Sequence, residues 1–405
     1  MQKNNTDAIK HFYDGLFDGP HATPKESISG PIFLGIKNIT EDGHLDLSEI
    51  KHISEEEFPK WTKRVVPKEG DVVFVYEATL NRYALIPKNF RGCLGRRLAL
   101  IRPNKEKLDS KFLYYYFFGD NWRKIIQENT ITGSTVDRIP IAKFPEFKVS
   151  LPELTIQKKI SSILSAYDDL IENNNKRIKI LEQTGKSIYK DWFIDNANSS
   201  WGKSSLMECN LFNFENKNIG KFEDKKVYYE TADINNISIV KDGLQTDYVT
   251  KPSRAQKQPK INSVWFARMS NTKKILVFTE KNKKLVEKSI LSSGFAGFST
   301  KEEFLGYLYF SINSDFFNKQ KDLYATGATQ ISINNDGIKR IIFRIPSVEK
   351  IIEYSKISNP LINQIIILDN ENKKLEKIKQ LSLPKLISGE LDVEDLDIKI
   401  RPEIL

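Results

Sequence analysis

Short motifs of this chain occur twice, in the same order, about half a chain length apart. Val66-Pro67-Lys68 followed by Val72, Val73 and Phe74 is echoed by Pro259-Lys260 followed by Val264, Trp265 and Phe266, a displacement of 192 residues. Phe112-Leu113 before Tyr114 to Phe118 returns as Phe304-Leu305 before Tyr307 to Phe310, again displaced by 192. Thr132-Gly133 answers to Thr326-Gly327, and Leu151-Pro152 to Ile345-Pro346, both displaced by 194. Apolar pairs recur by chance, but four in register do not, so the chain is an internal duplication. Its 405 residues also exceed what one core comfortably organises. Each half opens with turn-rich β segments (IFLGIKNITEDGHLDL and YYETADINNISIVKDGLQTDYV). A short aromatic helix follows, then a long periodic one.

The long stretches carry heptad seams. From Ile160, apolar or small residues fall at Ile163, Tyr167, Leu170, Asn174, Ile178, Leu181, Gly185, Ile188 and Trp192, in steps of three and four. The second seam runs Leu361, Ile365, Leu368, Asn372, Leu375 and Ile378, with Pro360 before it and Pro384 after it. Each seam holds one asparagine. Such a residue fixes register and partner at some cost in stability; the alternative is a tolerated polar residue at a surface edge. Neither helix can bury its stripe alone, so the two are expected to pack together, antiparallel because a whole domain lies between them. At about 1.5 Å per residue, a first helix of about 40 residues is roughly 60 Å long, a spacer. The predicted class is α/β, mixed α+β. A first globular domain spans 1–152 and a first spacer helix 153–198. A second domain spans 199–346 and a second spacer helix 347–390, before a tail, 391–405.

Lysine and arginine outnumber aspartate and glutamate 62 to 53, a formal charge of +9. That excess suits a polyanionic partner, and equally a plain lysine-rich protein. Cys93 and Cys209 are the only cysteines, which excludes a disulfide framework and fits a reducing cytoplasm. The four histidines, His11, His21, His44 and His52, lack the paired spacing of a zinc site. The N-terminal residues MQKNNTDAIKHFYDG have no apolar core of a signal peptide, and no run of about 18 apolar residues suggests a membrane span.

Motifs that imitate catalysis fail on context. Thr184-Gly185-Lys186-Ser187 resembles the end of a phosphate loop, but Ile180 stands where the first glycine belongs and the stretch lies inside the helical seam. Gly294-Phe295-Ala296-Gly297 lacks the spacing of a dinucleotide site and is expected to be a loop. Asp168-Asp169 and Glu55-Glu56-Glu57 combine with no lysine in a nuclease pattern. No Asn-Pro-Pro or Asp-Pro-Pro precedes an aromatic residue, which argues against amino-methyl transfer by this chain.

Basic clusters occupy matching places in the two halves. The first holds Arg82, Lys88, Arg91, Arg96, Arg97 and Arg102, interleaved with Tyr83, Phe90 and Gly92. The second holds Lys251, Arg254, Gln256, Lys257, Gln258, Lys260 and Arg268. Arginine pairs bidentately with guanine or phosphate and glutamine with adenine, so both clusters are candidate DNA contacts; solvated basic loops are the plainer alternative. Thr132-Gly133-Ser134-Thr135 and Thr326-Gly327-Ala328-Thr329-Gln330 are small polar loops that let a backbone approach a phosphate, or simple turns.

These residues resemble the specificity subunit of type I restriction-modification systems. The resemblance rests on Asp18-Gly19-Pro20-His21-Ala22-Thr23-Pro24, on Thr132 to Thr135, and on Leu151-Pro152-Glu153-Leu154 with Gln157 and Ile160 opening the helix. At the far end it rests on Leu383-Pro384-Lys385-Leu386-Ile387-Ser388-Gly389-Glu390-Leu391. It implies that the chain is no enzyme and that each recognition domain reads half of a split site in double-stranded DNA, with the spacer setting the gap. DNA adenine-methyltransferase subunits, two of them, would dock on the helices around Gln157, Ile160, Tyr167, Leu181, Ile188, Leu368 and Leu375. Those partners would bind S-adenosylmethionine, and a restriction subunit, an ATP-driven motor using Mg, would join them. No cofactor is implied for this chain. Two departures stand out: Pro346-Ser347-Val348-Glu349-Lys350 lacks a counterpart of Gln157, and only a short segment precedes Asp18. The competing readings are a self-contained DNA-modifying or DNA-cleaving enzyme, and a coiled-coil scaffold indifferent to DNA.

Overall fold

The computed structural model describes residues 4–133, 136–328 and 330–400. They form two compact units, one built from the chain up to Ile171 together with that from Lys374 onward, the other from Glu172–Lys373.

In the first unit a four-stranded antiparallel sheet has the spatial order Tyr13–Asp18, Leu98–Pro103, Val72–Val75, Tyr83–Leu85. Its central strands are apolar at successive positions because both faces are covered. Val72, Phe74, Ala99 and Ile101 face a core with Phe112 and Tyr116 of the aromatic helix Ser110–Tyr116, whereas Val73, Val75, Leu98 and Leu100 face a second core with Leu34 and Leu94. A smaller sheet places Ser27–Leu34 between Lys51–His52 and Gly92–Leu94, the last pair parallel.

The second unit repeats the plan. Its antiparallel sheet runs Phe212–Phe214, Phe295–Thr300, Ser263–Ala267, Ile275–Phe278. Val264 and Phe266 face the core of the aromatic helix Glu302–Ile312, and Trp265 and Ala267 face the other. A four-stranded companion sheet contains the parallel pair Lys226–Tyr229 and Ser289–Ser292. The duplicated motifs therefore mark equivalent elements. The parallel pair is a relationship between distant segments that no local pattern encodes.

The long helices are Leu154–Lys190, continued by a π-helical turn Asp191–Asp195, and Val348–Ser388. Their partial pairing is antiparallel in each unit. In the first, Ile160 and Leu164 share a core with Leu386 and Ile387, and Asp168 Oδ1 accepts from Lys379 Nζ at 2.5 Å. In the second, Ile178 packs with Ile365 and Leu368, while Gly185 O accepts from Tyr354 Oη at 3.0 Å. The second helix runs through Pro360 and Pro384, the two prolines that flank its heptad seam. An interior proline costs about 3 kcal/mol. Buried Ile351 and Tyr354 before Pro360, and buried Ile362, Ile365 and Ile366 after it, offset that at about 1.5–3 kcal/mol each. Leu170 and Ile378, counted into the seams, are exposed.

Candidate nucleic-acid interface

In the first unit the chain beyond strand Val72–Val75 stays extended and is flanked on both sides. Tyr76 N donates to Arg97 O (3.1 Å) in the turn before strand Leu98–Pro103. On its other edge Ile139 N donates to Tyr76 O (2.7 Å) and Ala78 N to Asp137 O (3.0 Å). Ile131 and Arg138 exchange backbone bonds of 2.9 and 3.1 Å, closing the Thr-Gly loop. Turn, extended run and loop thus lie side by side.

The second unit builds the same three-part edge. Arg268 N donates to Gly294 O (2.9 Å), Ile333 N to Arg268 O (2.9 Å) and Ser270 N to Ile331 O (3.0 Å). Thr326 and Ser332 exchange bonds of 3.0 Å each. Both loops need their glycine. A Cβ on Gly327, whose φ is +134°, would lie 2.4 Å from Gln330 O, and one on Gly133 would lie 2.7 Å from Val136 O.

Most of the basic residues singled out in the sequence are engaged by the protein itself. Arg82 donates to Glu41 Oε1 (2.6 Å) and Ile39 O (3.4 Å). Arg91 forms a two-pronged pair with Glu55 and lies over the Phe58 ring at 5.1 Å. That guanidinium holds the Glu55 carboxyl below the usual carboxylate range, and its own pKa is raised in return. Arg97 Nε sits 2.9 Å from Glu77 Oε1, an ion pair without hydrogen-bond alignment. Arg102 clasps Asp71 at 2.9 and 2.7 Å.

In the second unit Lys251 donates to Ala255 O (3.0 Å), Gln256 to Ser253 O (2.5 Å), Gln258 to Val286 O (2.8 Å) and Lys260 to Glu215 (2.8 Å). Lys257 is buried, bonded to Asn216 O (2.8 Å), and burial pulls its pKa down. Arg268 turns inward to Ile333 O (3.1 Å), Phe295 O (3.4 Å) and Asn335 Oδ1 (2.8 Å), and burial lowers its pKa as well.

Arg96, Thr132, Arg254 and Gln330 are exposed along the three-part edges, and Lys88 is exposed in the first unit. Neither Arg96 nor Arg254 forms a salt bridge among the described residues. Ser134, Thr135 and Thr329 fall outside the described residues. Sequence reasoning missed Arg138, which is exposed opposite Ile131; its position directly after the Thr-Gly loop was the available signal. It also missed Tyr76, whose hydroxyl lies 3.3 Å from His21 Nε2 and whose pKa burial raises.

The seam residues look inward. Gln157 is buried; its Oε1 accepts from Asp109 N (3.0 Å), and Nε2 donates to Pro152 O (2.9 Å) and Lys107 O (3.2 Å). Ile160 and Leu368 are buried, and Tyr167, Leu181, Ile188 and Leu375 are half-buried. The helices present Leu170, Ile180, Ile367, Ile378 and Leu381 to solvent instead.

The catalytic look-alikes have structural explanations. Gly185 is helical, and a Cβ there would lie 2.0 Å from the Phe310 ring, so it serves close packing. The expected loop at Gly294–Gly297 is strand from Phe295 onward, with Gly297 under the Trp265 indole. Among the described residues, no group of three or more His, Cys, Asp or Glu could hold a metal, and no helix is long and apolar enough to cross a membrane.

Residues 29–183 match a family model described as the type I restriction modification DNA specificity domain. The chain is 25% identical to the type I restriction enzyme MjaIX specificity subunit of Methanocaldococcus jannaschii, over 96% of this chain and 90% of that protein. It is 22% identical to the HindI specificity subunit of Haemophilus influenzae, over 86% and 91%. The fold is similar to the S subunit of a type I restriction-modification system from M. genitalium, with a TM-score of 0.57, 16% identity, and coverage of 95% of this chain and 96% of that one.

Proposed function

We propose, for a chain that belongs to the specificity subunits of type I restriction-modification systems, that each of its two target-recognition domains reads half of a bipartite DNA site with its three-part edge. The chain is the non-catalytic reader of its complex. The observation that carries the assignment of the edge is its recurrence. Both units place a turn, an extended run and a glycine-dependent loop side by side, with Arg96 and Thr132 exposed on one and Arg254 and Gln330 on the other. Exposed guanidinium and carboxamide groups suit base edges and phosphates. Ser134, Thr135 and Thr329, adjacent in sequence, are further candidate DNA contacts. Arg97 and Arg268, whose backbone groups take part in the two edges, are tied to the fold by Glu77 and by Ile333 and Asn335.

The recognition domains, 1–152 and 199–346, are carried on helices 153–198 and 347–390, with 391–405 as the tail. Two adenine-methyltransferase subunits dock on the exposed helix faces and bring S-adenosylmethionine. A restriction subunit brings ATP and Mg. The complex works in the cytoplasm, where Cys93 and Cys209 remain thiols.

The test is long-read mapping of adenine methylation in cells carrying this chain and its methyltransferase, against cells lacking this chain alone. Loss of methylation at one bipartite motif supports the reading. An unchanged methylome counts against it, and S-adenosylmethionine binding or DNA cleavage by the isolated chain would favour a self-contained enzyme.

A further inference from the structure

The two edges are equivalent in backbone but not in where their arginine comes from. The turn Gly95-Arg96-Arg97-Leu98 connects strands Gly92–Leu94 and Leu98–Pro103, and Arg97 adopts φ +71° to close it. A non-glycine residue in that region is strained by about 1 kcal/mol or more, a conformation that persists only where its surroundings enforce it. Arg96, the residue before it, is exposed.

The corresponding turn of the second unit, between Ser289–Ser292 and Phe295–Thr300, holds only Ser293 and Gly294. It is one residue shorter and has no basic side chain. Arg254 arrives there from a different loop: its O accepts from Ser293 N at 2.8 Å, and its Nη2 lies 3.2 Å from where a Cβ on Gly294 would stand. Glycine at 294 leaves room for the guanidinium. The two turns are equivalent by their bonds, since Tyr76 N donates to Arg97 O and Arg268 N to Gly294 O.

We infer that Arg96 and Arg254 are functional counterparts, the groove-entering guanidiniums that determine sequence specificity, one in each recognition domain, although they occupy non-equivalent positions in the duplication. The inference rests on the DNA-reading assignment above. A guanidinium restored at one spot by an unrelated segment, after the turn that carries it has shortened, is what a shared demand for that group would produce. Arg97 and Arg268, which also lie in these two edges, are bound to the fold by Glu77 and by Ile333 and Asn335.

The test uses the full chain in its methyltransferase complex, with Arg96→Ala, Arg254→Ala, Arg96→Lys and Arg254→Lys variants. Methylation is mapped genome-wide, and melting temperature is recorded for folding. Each arginine contact to a base is expected to discriminate by about tenfold or more, so each alanine variant should accept additional bases at one or two positions of one half-site, a different half for each. The lysine variants, lacking the bidentate fork, should also relax. Unaltered half-sites in both alanine variants would overturn the inference while leaving the DNA-reading assignment intact. A wild-type complex that methylates no defined motif would overturn the assignment itself. Uniform weakening with the motif unchanged would show phosphate contacts only, and would also overturn the inference.

Discussion

Asn174 donates through Nδ2 to Oδ1 of Asn372 at 3.0 Å, and both carboxamides are buried between the long helices of the second unit. Asn372 in turn donates to Asn175 Oδ1 at 2.8 Å. Replacing one member strands a buried polar group, at about 1–3 kcal/mol. Asn372→Leu is therefore expected to lower stability by that amount. The double change Asn174→Leu/Asn372→Leu should recover most of it, because two apolar groups restore the seam. Denaturant unfolding across the four-member cycle measures the coupling, and additive effects would show that the pair fixes nothing.

Gln157 satisfies three backbone groups at the start of the first long helix, including the N–H of Asp109, which itself caps Ser110–Tyr116 through Phe112 N. At the matching place in the second helix stands Ile351, fully buried in an apolar core. Gln157→Leu should cost about 1–3 kcal/mol by orphaning those groups. Thermal melting reads the loss; an unchanged melting temperature would mean that water takes over the bonds.

Gly185→Ala pushes a methyl group into the Phe310 ring and is expected to destabilise by about 1–3 kcal/mol. Gly202→Ala, with open space around it, should be neutral or slightly stabilising. Chemical denaturation of the two variants makes the comparison, and equal effects would refute close packing as the reason for Gly185.

Arg91 holds the folded Glu55 carboxyl below its unfolded value. The contribution of the pair is present above the ordinary glutamate range, near pH 4.3, and is lost as pH falls through the lower folded value. Protection against hydrogen exchange around Glu55, taken relative to the intrinsic rate at each pH, should accordingly fall in acid. Arg91→Ala should abolish that dependence and leave both DNA half-sites unaltered. A relaxed half-site would show instead that Arg91 leaves Glu55 for DNA.

Removing one heptad from each long helix shortens a helical spacer by about 10 Å at 1.5 Å per residue. The recognised half-sites should keep their sequences while the gap between them changes. Methylation mapping reads both quantities at once. A constant gap with altered half-sites would contradict the ruler role.

The duplication and the seams were legible because both are written in residue order: Val72-Val73-Phe74 against Val264-Trp265-Phe266, Asn174 against Asn372. The seam of the second helix was counted only from Leu361, because a proline's local cost was visible at Pro360 while the burial of Ile351 and Tyr354 before it was not. The acidic partners of the basic clusters were hidden for a related reason. Glu41, Glu55, Asp71 and Glu77 engage Arg82, Arg91, Arg102 and Arg97 across distances in sequence that composition does not reveal. Arg254 beside Gly294 depends on a turn length seen only once the strands are paired.

Val393 is fully buried in the core that also holds Ile9 and Phe112, and Lys159 Nζ donates to Glu394 O at 2.6 Å. The first unit is thus finished by a segment that leaves the ribosome only after the whole of the second unit. At about 5–20 residues per second, its early segments wait on the order of ten seconds or more for their closing piece. The second unit, contiguous in the chain, can form while they wait. A nascent chain halted at Ser388 should show the second unit resisting protease while the first is digested, so that newly made protein passes through a stage with only one finished head.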